Sequence, residues 1–180
     1  MSLNWTELAL DGRRPLNFRG RQIALAERRE DQNIDNSLRL RFDSGVELVL
    51  ESAVDVSQTI DLPRIFVIEG LASEKLMIFG GEKAYWILAD GRLFGEYLTN
   101  RASDLTKYWS TRFVQIDDGL IVIYETSVLA LDQLLEVRWH TRKYINDFFA
   151  SVANGSLKFL RDHDLEWSMQ ISDGTPSLGL

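Results

Sequence analysis

A mainly β fold is predicted, made of antiparallel meanders with propeller-like hairpin repeats and few short helices. Three observations point to it. Turn signals of the Asp-Gly or Asn-Gly kind recur along the chain, the runs between them are short and either alternate in polarity or are apolar throughout, and segments with helical periodicity are scarce. With 180 residues, 45% hydrophobic and 26% charged, the chain has a globular balance and length enough to bury a core.

Residues 1–60 are expected to contribute a hairpin or two. Arg21-Gln22-Ile23-Ala24-Leu25-Ala26-Glu27 has helical composition but alternates, which favours a strand. Leu38-Arg39-Leu40-Arg41-Phe42 alternates strictly, and Val46–Glu51 returns after the turn Asp43-Ser44-Gly45. Simple closure of that turn sets Leu40 opposite Leu48 and Arg41 opposite Glu47, with the apolar side fixing the register. Further turns are expected at Ala89-Asp90-Gly91, Asp117-Asp118-Gly119 and Ala153-Asn154-Gly155, where Gly or Asn accepts a positive φ cheaply. Ser103–Trp109 can form one or two helical turns capped by Ser103. Lys143–Ala150 is short and fits either a helix or a strand. The segment 172–180 shows no periodicity and reads as a flexible tail, leaving one mainly β domain over 1–171.

Self-similarity runs through 74–170. Lys107-Tyr108 and Phe113–Gly119 match Lys143-Tyr144 and Phe149–Gly155 at an offset of 36, and each copy leads to a Trp strand, ending at Trp139 and Trp167. A further copy, Glu74–Gly81 followed by Tyr85–Phe94, matches Asp118–Arg138 at an offset of 44. Within this stretch, Val128-Leu129-Ala130-Leu131-Asp132-Gln133-Leu134-Leu135-Glu136-Val137-Arg138-Trp139 resembles the blade hairpin of PQQ-like β-propeller repeats. That pattern runs apolar strand, Leu-Asp, short turn, strand ending in Trp. Leu134-Leu135 stands where the family usually places a turn glycine. The resemblance implies meandering antiparallel sheets and does not imply the quinone, since many such repeats are scaffolds without a cofactor. At ~40 residues per blade, three repeats fall short of a closed propeller.

Composition narrows the function. Twenty basic against 27 acidic residues give a net charge of −7, which argues against a general nucleic-acid binder. The chain has no cysteine, so thiol catalysis, disulfides and zinc-thiolate or iron–sulfur sites are excluded. Met1–Glu7 has neither the basic start nor the apolar run of a signal peptide, and no apolar stretch approaches the ~20 residues of a membrane span. The expectation is a cytoplasmic, acidic, bacterial-looking protein with no membrane partner and no cofactor.

Chemistry-bearing residues are sparse. His140 follows Trp139 with no carboxylate at a recognisable spacing, which favours a rim histidine over a general base. Asp162-His163-Asp164 and Asp117-Asp118 read more simply as turns than as a metal site or a carboxylate pair, so no metal or catalytic residue is assigned. Gly80-Gly81 lies outside any phosphate-loop pattern. Arg13, Arg14, Arg19 and Arg21 cluster and fit pairing with the chain's own acidic groups better than an anionic partner.

Five Trp, five Tyr and nine Phe leave a surplus of aromatics. Neighbours on a strand point to opposite faces, so one member each of Tyr85-Trp86 and Tyr108-Trp109 is a candidate for an exposed binding surface, with His140 beside it. The function expected is a non-enzymatic module that binds another protein or itself, of the type seen in toxin-neutralising immunity proteins. The alternatives are a small-molecule or carbohydrate-binding domain, with weak hydrolase activity through carboxylates brought together by the fold, and a structural subunit of a homo-oligomer.

Overall fold

The computed structural model describes residues 2–8, 13–30, 36–51, 65–80, 83–99, 111–124, 126–144, 147–161 and 165–178. These residues form strands and turns, with no helix among them, and no helix among them is long and apolar enough to cross a membrane. The helix expected over Ser103–Trp109 lies outside the described residues. The chain divides into two compact units, 3–108 and 109–180.

In the first unit the strands are β1 (Leu3–Leu8), β2 (Arg14–Phe18), β3 (Arg21–Glu30), β4 (Asn36–Phe42), β5 (Glu47–Glu51), β6 (Ile65–Gly70), β7 (Lys75–Gly80), β8 (Lys83–Leu88) and β9 (Leu93–Leu98). They form an antiparallel meander β2-β3-β4-β5 and a second meander β6-β7-β8-β9, to which β1 adds beside β6. Alternation places Ala24, Ala26, Leu38, Leu40 and Phe42 on one face of the first sheet, where they pack with Leu76, Ile78, Tyr85 and Ile87 of the other. Burying each large apolar side chain contributes about 1.5–3 kcal/mol, which makes this face the determinant of register. The expected pairs Leu40↔Leu48 and Arg41↔Glu47 are both present, and Arg41 Nε lies 3.4 Å from Glu47.

In the second unit the strands are β10 (Arg112–Ile116), β11 (Gly119–Tyr124), β12 (Ser127–Asp132), β13 (Val137–Arg142), β14 (Asp147–Ala153), β15 (Ser156–Arg161), β16 (Leu165–Gln170) and β17 (Pro176–Leu178). They make two four-stranded antiparallel meanders, β10 to β13 and β14 to β17. Ile121, Ile123, Val128 and Ala130 of one share a core with Leu157, Phe159, Trp167 and Met169 of the other, and Phe159 stacks on Trp167 at 4.6 Å.

The flexible tail expected from residue 172 onward is corrected by β17. Ser177 pairs with Ser168, the turn closes through Gly174 N–H to the Gln170 carbonyl at 2.9 Å, and Trp139 Nε1 donates to the Ile171 carbonyl at 2.9 Å. The segment carries no apolar alternation because hydrogen bonds, rather than side-chain burial, hold it.

Register also tests the repeats. The offset of 44 holds strand for strand: Lys75↔Leu88 corresponds to Gly119↔Asp132, and Trp86↔Gly95 corresponds to Ala130↔Trp139. The bulges coincide too, with the extra residue at Phe94 in β9 and Arg138 in β13. The offset of 36 holds on one strand only: Phe113↔Val122 corresponds to Phe149↔Phe159, 36 residues on along the first strand and 37 along the second, and the bulge at Ala150 then brings the first strand to 37 as well.

Gly119 is therefore the counterpart of Ser156 rather than of Gly155. The two glycines meet different needs. Gly155 sits in the hairpin turn at φ +71 behind Asn154 at φ +52, while a Cβ on Gly119 would run into the Leu131 carbonyl of the neighbouring strand. Trp139 and Trp167 are likewise not equivalent, since β13 is the fourth strand of its sheet and β16 the third.

Candidate functional site

Tyr85 and Trp86, expected to divide between core and surface, are both buried at 8% exposure. Strand geometry does send them to opposite faces. Tyr85 joins the core shared with the four-stranded sheet, and Trp86 lies with Phe66, Ile68, Met77 and Phe79 on the other face, which is buried as well. Lys75 Nζ lies 5.7 Å from the Trp86 ring and 4.6 Å from that of Phe94, and Tyr97 meets Trp86 edge-on. A central strand covered on both faces has no outward side, so the expectation of an exposed member fails here. Tyr108 and Trp109 lie outside the described residues.

His140 is half-buried on β13, with Nε2 2.7 Å from the hydroxyl of the buried Tyr124. Burial, reinforced by the charge of Arg142, lowers its pKa and holds the ring neutral. This is a satisfied rim histidine.

Exposed aromatics lie on other strands: Trp5 on β1 at 40% and Phe94 on β9 at 62%, each on an edge strand that also carries an exposed charge, and two more in the second unit. Tyr144 is 66% exposed and Phe148, on β14, is 56% exposed. They flank a fixed ionic joint. Arg161 Nε donates to Asp147 Oδ1 at 2.7 Å and its Nη2 to Oδ2 at 3.1 Å, the Tyr144 amide donates to Oδ2 at 2.9 Å, and the guanidinium lies 4.1 Å from the Tyr144 ring. Burial alone would raise the pKa of Asp147, but the Arg161 and Tyr144 hydrogen bonds outweigh it and hold the carboxylate below its ordinary value. The only acidic side chain of β14 is thus turned inward and neutralised.

That matters because β14 is a sheet edge. Among the described residues, every other edge strand carries a proline or an exposed charge: Glu7 on β1, Arg14 and Pro15 on β2, Glu47 on β5, Glu96 on β9, Arg112 on β10, Arg138 and Arg142 on β13, and Pro176 on β17. Such residues block unwanted strand pairing. From Phe148 to Ala153, β14 has none, and it offers Phe148, Ala150, Ser151 and Val152 to solvent. The bulge at Ala150 is its one edge-breaking feature, shared with β9 and β13.

A second feature lies in the first unit, where the β2–β3, β4–β5 and β8–β9 turns border a cleft of about 670 Å³. Arg19, at φ +52, ties this corner to the β6–β7 turn: its amide donates to Glu69 Oε2 at 2.9 Å and its guanidinium to the carbonyls of Ser73 at 2.8 Å and Leu71 at 3.2 Å. Ser44 Oγ donates to the Asp90 carbonyl at 2.9 Å, joining the other two turns. The Asp90 carboxylate accepts from the Arg92 amide at 3.1 Å and from Arg92 Nε at 2.8 Å, which lower its pKa. Of the clustered arginines expected to pair internally, Arg13 pairs with Glu27 at 3.1 Å, whereas the Arg19 guanidinium goes to carbonyls and Arg21 forms no ion pair with a described residue.

No protein-family model matches this chain, and comparison with curated proteins finds no relative. The likeness of 74–170 to PQQ-like repeats rests on the sequence pattern alone.

Phe148 and Tyr144 were not singled out by sequence reasoning, which sought exposed aromatics as adjacent pairs. Phe148-Phe149 is such a pair, and here the rule works: Phe149 packs against the core and Phe148 faces out. The usable signal was an uncharged stretch, Phe148 to Ser156, in a chain that otherwise places a charge on nearly every strand.

Proposed function

We propose that the protein is a non-enzymatic interaction module that accepts an extended segment of another protein as an added strand along β14. The observation that carries this reading is the contrast between edges. Among the described residues, seven of the eight sheet edges bear a proline or an exposed charge, and β14 bears neither. Strand addition takes its affinity from main-chain hydrogen bonds and its selectivity from side chains flanking the strand, here Phe148 and Val152. The buried Asp147–Arg161 joint fixes the start of the strand, so little order is lost on binding.

The test is capture from lysate of the source cells by the immobilised chain, with Val152→Lys and Ser177→Lys in parallel. The reading expects a discrete partner retained by the native chain and by Ser177→Lys but lost with Val152→Lys. Equal retention by all three, or no retained partner, overturns it. Light scattering separates the homo-oligomer: a dimer of the purified chain that Val152→Lys converts to monomer would assign β14 to self-association instead.

A further inference from the structure

The cleft of the first unit has no part in the edge just described, and its polar groups differ in how far they are engaged. Arg19 and Asp90 are engaged by the protein, the first by two carbonyls and the second by Arg92. Arg21 and Asp43 line the same cleft, yet they form no ion pair with each other or with any described residue. The Asp43 backbone is fixed by its amide donating to the Ile23 carbonyl at 3.0 Å, and Arg21 opens β3 directly after the braced Arg19-Gly20 turn. Opposite charges are therefore held on rigid backbone at one cleft without neutralising each other. A ligand bearing both charges can bridge them, and a ligand bearing one leaves the other unmet.

We infer that this cleft binds a small zwitterion, an amino acid or short peptide with free termini, its carboxylate on the Arg21 guanidinium and its ammonium on the Asp43 carboxylate. Arginine suits the first role because its planar fork meets a carboxylate with two parallel hydrogen bonds. Gln22 and Ser44 also line the cleft and can serve the peptide amide. A cleft of about 670 Å³ has room for a ligand of this size.

Amide chemical shifts of the full chain would be followed during addition of the pooled free amino acids and, separately, of dialanine, with N-acetyl-dialanine amide and glucose as comparisons. The inference expects saturable shifts at Arg21, Gln22, Asp43 and Ser44 with a free-termini probe, at least tenfold weaker binding of the blocked peptide, and no response to glucose. Arg21→Gln and Asp43→Asn each remove an exposed charge, and each should weaken binding at least tenfold while leaving the thermal midpoint unchanged. Absence of shifts with every free-termini probe overturns the inference. So does equal binding of the blocked peptide, or a response to glucose that outlasts both substitutions.

Discussion

Trp86 on β8 stands directly opposite Gly95 on β9, and 44 residues later the same position is filled in reverse, by Ala130 on β12 and Trp139 on β13. Each pair sets one indole over one small residue. The large partner can change strands because cross-strand neighbours share a face and fill a common volume. A Cβ added at Gly95 would lie 3.8 Å from the Trp86 ring, an ordinary contact, whereas one at Gly119 would fall far inside van der Waals contact with the Leu131 carbonyl.

Gly95→Ala should consequently shift stability by less than about 1 kcal/mol, and Gly119→Ala should cost about 1–3 kcal/mol or more as β11 and β12 move apart. Urea denaturation of the two variants under identical conditions checks the contrast.

Core and surface aromatics should separate in the same assay. Trp86→Ala is expected to cost about 3–5 kcal/mol, and Phe148→Ser no more than about 0.5 kcal/mol. The proposed partner should respond in the opposite order, with Phe148→Ser weakening capture in a protein of native stability.

Much of this was legible in the sequence, and the failures share a cause. The meander order, the Leu40↔Leu48 register and the 44-residue repeat follow from local alternation and turn chemistry, which neighbouring residues determine. Burial of Trp86, pairing of Ser177 with Ser168 and the bulge at Ala150 depend on which strands become neighbours. No local pattern encodes that. The Trp139 and Trp167 correspondence failed because β16 follows β15 across only 162–164, so similar residues arrive one strand earlier.

Asp147 supplies an acid-sensitive joint. Its pKa is depressed in the folded state, so its contribution is present above the ordinary aspartate value and is lost as pH falls through the lower folded value. Asp147→Asn should cost about 3 kcal/mol at neutral pH, since it leaves Arg161 without its charge partner. It should also flatten the stability loss of the native chain below about pH 4, as urea midpoints between pH 2 and 6 would show.

His140 acts in a separate window. Its folded pKa is lowered, so the neutral ring stabilises the fold above the ordinary histidine value of about 6.5, and that contribution declines as pH falls below it. Comparison of urea midpoints at pH 7.5 and 5 should show a drop in the native chain and a smaller one in His140→Gln.

The central claim is that β14 is the strand to which a partner adds, and amide hydrogen exchange on the free chain and on the captured complex tests it most directly. The account predicts that the outward-facing amides of Phe148 to Ala153, those not bonded to β15, exchange within the fast class in the free protein and become protected in the complex, while β1, β9 and β17 are unchanged. Protection confined to another edge or to the cleft around Arg21 and Asp43, with β14 still open, would contradict it.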